Sequence, residues 1–465
     1  MSLRNGNNKL KSKEVFMTKS RFFILSIAAA MYLVIEHLHA ADMIIDPNGG
    51  AYRTIQSAIT AAQAGDRIVL SSKQTYRERL LFNNKKGTPE KPIIIEGNGA
   101  CIDGSDSLVP EEWIEVKPRI FRSTKLPERL KFNGVAGMIM RYYFLFGTDM
   151  VRMDRISKGP QPKFKAVEDL KEDEWCYADS EKAFYIRISE KRKLEDVRVP
   201  VRDCGVAFRG SCENLVIRKL RATHVWNDGF NIHGYSRNIL FENIEAIECG
   251  DDGISAHDDC QIIVKGLTSA GNATGFCHVG RSKSDSSNVQ LIDNLAYGVF
   301  VVDESEHKLI NCVIKGSKGI SLRALNGADI HMQNIVLLGE ADSEGSVSIE
   351  KSKLDGQGIF SWNQKWSIGE SSSCVLIDSV ISTKKFDVDE KAAFKSDKNI
   401  WSIGAITFNK QKFVPDRFAE YQKASGQDAG SSCVNLSRQE FFKKAESVDL
   451  SHLYKDLQLY KSENK

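Results

Sequence analysis

The segment WNDGFNIHG (Trp226–Gly234) is answered by GDDGISAHD (Gly250–Asp258). Both copies put an acid before a glycine and a histidine four places after it: Asp228, Gly229 and His233, then Asp252, Gly253 and His257. They belong to a longer series. DCGVAFRG, NDGFNIHG, DDGISAHD, ATGFCHVG, AYGVFVVD, SKGISLRA and SEGSVSIE carry their glycines at 205, 229, 253, 275, 298, 319 and 345. A period of 20–26 residues is the mark of a solenoid, in which each unit covers the open edge of its neighbour.

The residues one and three places after most of these glycines are apolar: Val206/Phe208, Phe230/Ile232, Ile254/Ala256, Val299/Val301 and Ile320/Leu322. Period two means a strand with one buried face. A second strand recurs in each unit, as NLVIRKL, NILFENI, QIIVKGL, NVQLIDN and KLINCVI. Asn214, Asn238, Asn243, Asn288, Asn294, Asn311 and Asn334 cluster around it, where stacked amides can satisfy one another and the backbone. These features predict an all-β chain, a right-handed parallel β-helix of stacked coils.

The ends read as caps. TIQSAITAAQAGDRIVL sets Ile55, Ala58, Ile59 and Ala62 on one helical face, then a strand, so residues 41–107 are expected to hold an N-terminal capping helix and the first coils. Residues 108–200 do not repeat and are expected to form a lateral β-rich insertion. The β-helix repeats are expected over 201–410 and a C-terminal capping tail over 411–465.

Residues 1–40 read as a signal peptide: Lys19 and Arg21 lead an apolar run from Phe22 to Ile35, with small residues at Ala40–Ala41. Met17 is an alternative start. Without them the chain has 58 basic and 59 acidic residues, so no basic footprint for nucleic acid. No later apolar run is long enough to span a bilayer. The expected location is secreted, periplasmic or on the cell surface. The ten cysteines have irregular spacing and no CxxC pair. They read as small buried residues, with one or two disulfides left open.

Coils stack at about 4.8 Å, so residues in one phase form columns. Four places after the glycine come Arg209, His233, His257, Val279, Val302 and Arg323. The turn before the strand carries Asp203, Asp228, Asp251 and Asp252, and further along lie Asp258, Asp259, Arg281 and Lys283. Asp228, Asp251, Asp252, His233 and His257 are the candidate catalytic residues. Carboxylates stacked so closely split their titrations or recruit a cation. Asp251, Asp252, Asp258 and Asp259 are therefore candidate ligands for Ca2+. Arg209, Arg281, Lys283 and Trp226 are candidate substrate contacts, Trp226 as a stacking face or as a packed corner. His278 falls in the inward phase. Asp before Gly is also ordinary turn chemistry, and both readings stay open here. NAT at 272–274 fits an N-glycosylation pattern.

The stretches TIQSAITAAQAGDRIVLSSKQTYRERLLF and GTPEKPIIIEG resemble the N-terminal module of the pectin-lyase-like right-handed parallel β-helix superfamily. The resemblance covers roughly residues 43–410. It implies a carbohydrate-active protein, a polysaccharide lyase or a polygalacturonase-type hydrolase. NDG at Asp228 and GDDG at Asp251 and Asp252 match two motifs of the hydrolases. Their histidine motif falls on Thr274, and Arg281 and Lys283 come too early for their basic pair. Hydrolysis with inversion asks for carboxyls roughly 6.5–9.5 Å apart. Elimination asks for a cation on a uronate carboxylate, which Arg209, Arg281 or Lys283 would supply, and a base for its C5 proton, which His233, His257 or a lysine would supply. The expected partner is an acidic polysaccharide. The alternative is a non-catalytic glycan-binding or surface-structural β-helix.

Overall fold

The computed structural model describes residues 41–131, 139, 141–153, 164–316, 319–339 and 345–445. The expected signal peptide, residues 1–40, and the last part of the tail lie outside the described residues. The helix Ile55–Ala61, capped by the Thr54 side chain on Ser57 N, buries Ile55, Ala58 and Ile59 against the first coils.

The body is a parallel β-helix. Short strands Val206–Arg209, Phe230–Ile232, Asp252–Ala256, Thr274–His278, Tyr297–Val302 and Ile320–Leu325 pair in parallel, each with the next. Longer strands, Ser211–Thr223, Tyr235–Ile247, Asp259–Ala270, Lys283–Ile292 and Glu306–Lys315, form a second parallel ladder. They bend where Asn243, Asn288, Asn311 and Asn334 adopt φ of 50–58°. Asparagine tolerates this left-handed backbone better than most residues. The amides hold the corners in register: Asn238 Nδ2 donates to Asn214 Oδ1 at 3.0 Å and Asn334 Nδ2 to Asn311 Oδ1 at 3.2 Å.

The inward columns form one continuous apolar core, with Phe82 and Phe208 stacked at 4.9 Å. The ten cysteines form no disulfide with one another, and eight of them are buried, as small packed residues. Asn272 of the NAT pattern is wholly buried. Its amide donates to Ala246 O and Ser269 Oγ, both at 2.9 Å, which leaves no room for a glycan.

The expected phase needs one correction. It runs true from Gly205 to Gly298, but Tyr297 then pairs with Ile320 and Phe300 with Arg323. Arg323 therefore joins the column two places after the glycine, not the histidine column.

Residues 105–200 hold two antiparallel sheets. One orders Glu174–Ala178, Ala183–Arg187, Ile120–Ser123 and Ile114–Lys117; the other orders Ser105–Ser107, Val197–Pro200 and Leu145–Phe146. Their aromatic-rich core is separate from that of the coils. At the far end, the helix Phe418–Ser425 buries Phe418 and Tyr421 on the last coil. No helix among the described residues is long and apolar enough to cross a membrane.

Candidate functional site

The two coils that contain Gly229 and Gly253 gather the ionisable groups. Phe208, Ile232 and Ala256 stand level in the ladder. The next residues, Arg209, His233 and His257, follow in one column. The rings of His233 and His257 stack with centroids 4.2 Å apart and planes 2° off parallel. His233 Nδ1 donates to Asp258 Oδ2 at 3.2 Å, because a carboxylate only accepts. Burial, with the charges of His257 and Arg209, pushes the proton affinity of His233 down to about 4. Its ring is therefore neutral at neutral pH.

Asp228 lies beneath this column and is only 2% exposed. Its carboxylate accepts from Asn231 Nδ2, from Ser255 Oγ at 2.7 Å and from Asp252 N at 3.1 Å. Burial, and then the charge of Asp251, raises its affinity for a proton. Asp252, also 2% exposed, is one coil on. One carboxylate oxygen each of Asp228 and Asp252 and a ring nitrogen of His257 all lie within 4.8 Å of one another. His257 is the half-buried member of this group. Arg209 Nη1 reaches Asn231 Oδ1 at 2.6 Å and so ties the cationic end of the column to the acid nest.

Asp251, expected in the same cluster, is held elsewhere. Arg141 of the insertion forms an ion pair with it. Tyr143 OH lies 2.8 Å from Glu248 O and 3.1 Å from Val225 O, and Arg152 pairs with Glu248. The insertion is thus bolted to the turn that precedes the site.

The remaining expected residues separate by position. Asp258 and Asp259 do not join Asp252 in a calcium cage. Asp258 takes the left-handed corner at φ 56° and accepts from Gly234 N at 2.8 Å, which lowers its carboxyl's affinity for protons. Asp259 pairs with Arg237 at 2.7 Å and with Arg281 at 3.8 Å. Lys283 pairs with Glu306 at 2.7 Å on the neighbouring face of the coil. Arg281 and Lys283 therefore stand outside the Asp228–His257 group. Trp226 packs against the core of the insertion, so it is a corner residue rather than an open stacking face. His278 points inward and is fully buried, and burial pushes its affinity down to about 3.

Sequence reasoning passed over Asn231, Ser255, Arg141 and Thr274. The first two had a signal: they share the phase two places after the glycine, where Ala207, Cys277 and Phe300 are apolar. Thr274 pairs with Asp252 in the ladder. Arg141 had none, since it lies in a stretch without period.

Residues 182–337 match the family model described as right handed beta helix region. The fold is a right-handed parallel β-helix. No curated protein matches the sequence. Among solved structures, the β-helix is similar to a chain titled "Glycoside hydrolase", at 10% identity and a TM-score of 0.42 over 77% of this chain and 95% of that one. It is also similar to one titled "The complex structure of XylC with xylose", at 11% identity and a TM-score of 0.42 over 84% and 86%. Likeness of this size decides neither a substrate nor a reaction, which rest on the residues above.

Proposed function

We propose that this β-helix is a secreted enzyme that cleaves a uronate-containing polysaccharide by β-elimination. His257 is the base, Asp228 and Asp252 stand behind it, and Arg209 neutralises the substrate carboxylate. The observation that carries this reading is a half-buried imidazole within 4.8 Å of two buried carboxylates, in the column that also holds Arg209. Burial favours elimination over hydrolysis. Hydrolysis needs both carboxyls against the glycosidic bond, whereas here both are 2% exposed and the imidazole is in front of them. In elimination, the C5 proton passes to His257, the C4=C5 double bond forms as the bond to the C4 oxygen breaks, and the leaving oxygen takes a proton from the imidazolium or from water. A carboxylate behind an imidazole sets its orientation and stabilises the cation that forms. The stacked ring of His233, itself anchored on Asp258, holds that imidazole from the other side.

The test is incubation of the purified protein with polyuronates and neutral glycans. The expected result is unsaturated product from a polyuronate, reduced about 100-fold or more in His257→Ala with the circular dichroism unchanged. Reducing ends without unsaturation would move the reaction to the carboxylates. Glycan retention without any product would make the protein a binding module.

A further inference from the structure

The group at Asp228, Asp252 and His257 has the chemistry of a metal site as well as of a base. We propose that these three residues, with Thr274 beside them, bind a single divalent first-row transition metal, and that metal bound there takes His257 out of action. The second clause rests on the reaction proposed above; the first does not.

Four observations point to this. Nitrogen and oxygen donors sit roughly 2.0–2.2 Å from such a metal, so one ion bridges atoms up to about 4.4 Å apart; the three donors lie within 4.8 Å of one another, a gap that small side-chain rotations close. They come from two adjacent coils, so their spacing is set by the ladder. Thr274, the ladder partner of Asp252 in the next coil, is fully buried and its hydroxyl has no hydrogen-bond partner among the described residues. A hydroxyl left so in a protein interior points to a ligand close by. The outer shell is also in place: Asn231 and Ser255 orient Asp228, and His233, anchored on Asp258, orients the ring of His257. Such outer partners set ligand orientation in metal sites.

The donor set selects the ion. An imidazole with two carboxylates suits zinc, manganese or nickel, whereas calcium prefers six to eight oxygens. A metal on the ring nitrogen occupies the lone pair that a base needs.

The experiment uses the full chain, stripped with a chelator and titrated with Zn2+ and with Ca2+ by calorimetry, with native mass spectrometry for stoichiometry. One zinc per chain is expected, with calcium at least about 10-fold weaker. His257→Ala should weaken zinc at least about 10-fold and Asn231→Ala by about 10–100-fold. His257 is only half buried, so its removal spares the core. His331→Ala, at a separate exposed cluster with Asp329 and Asp355, should leave zinc binding unchanged. Absence of zinc binding, or binding undiminished in His257→Ala, overturns the site. Where a glycan is cleaved, zinc should suppress product and chelator restore it; cleavage indifferent to bound zinc overturns the second clause. Binding is measured without glycan, so its failure and that of the proposed reaction are told apart.

Discussion

Acidification should unlock this β-helix from inside. His278 and His307 face the core at 0% and 2% exposure, with rings 4.8 Å apart and Phe276 packed 4.1 Å from His278. Burial holds His278 neutral down to about pH 3 and pushes His307 well below its ordinary 6.5. Below pH 6.5 the unfolded chain takes up protons that the folded chain refuses, so stability falls as the pH falls. Each ring costs about 1.4 kcal/mol per pH unit in that window. The pair therefore removes about 4 kcal/mol between pH 6.5 and 5, a large part of the 5–15 kcal/mol typical of a folded domain. Asp228 acts in the opposite sense. Its raised affinity keeps a proton that the unfolded chain gives up, so its contribution declines as the pH climbs above about 4. Urea unfolding at pH 7, 6 and 5, with proton uptake followed by an indicator dye, measures the balance. In the double variant His278→Leu/His307→Leu the slope between pH 6.5 and 5 should flatten by about 2.7 kcal/mol per unit. An unchanged slope in that variant would refute the reasoning.

Three further outcomes are expected. Asp428 accepts from Ser396, Trp401, Ser431 and Tyr421 at 2.6–2.9 Å and is fully buried; Asp428→Ala should cost about 3–5 kcal/mol in urea unfolding by stranding these donors. A Cβ on Gly250 would lie 2.1 Å from Trp226 O, so Gly250→Ala should lower stability by about 2–4 kcal/mol in the same assay. Arg141→Met removes the ion pair to Asp251; with Arg141 27% exposed, the cost should be about 2 kcal/mol, and limited proteolysis should cut the insertion faster.

The winding of the chain was legible because sterics enforce it. A Cβ on Gly205, Gly229, Gly253 or Gly275 would meet the carbonyl of the next glycine in the column at 2.8 Å. Those glycines mark the phase because nothing else fits. Gly319 misled because a Cβ there meets only Ala296 O, at 3.9 Å, so its glycine reports no close approach and the true level is two residues on. The histidine stack and the level of Asp228 with Asp252 followed from the same count. The placement of Asp251 did not, because its partner Arg141 is 110 residues away in a segment with no period. Nor did the burial of both carboxylates, which depends on how the insertion and the corner residues close over one turn.

Comparison along the columns separates chemistry from turn-making. The position before the glycine is Cys204, Asp228, Asp252, Thr274 and Tyr297 in successive coils, and the coils wind alike through all five. Two places after the glycine, of these five coils only those of Asp228 and Asp252 carry polar side chains, Asn231 and Ser255, between Ala207 on one side and Cys277 and Phe300 on the other. A turn that Cys204 and Thr274 make as well does not require an acid. Asp252→Thr, which copies the next coil, should therefore leave stability unchanged within about 1 kcal/mol, while abolishing both product and zinc binding. Urea unfolding at pH 7 and zinc calorimetry on the same preparation decide this. A loss of several kcal/mol would make Asp252 a structural residue of the turn, and the paired acids would then belong to the architecture.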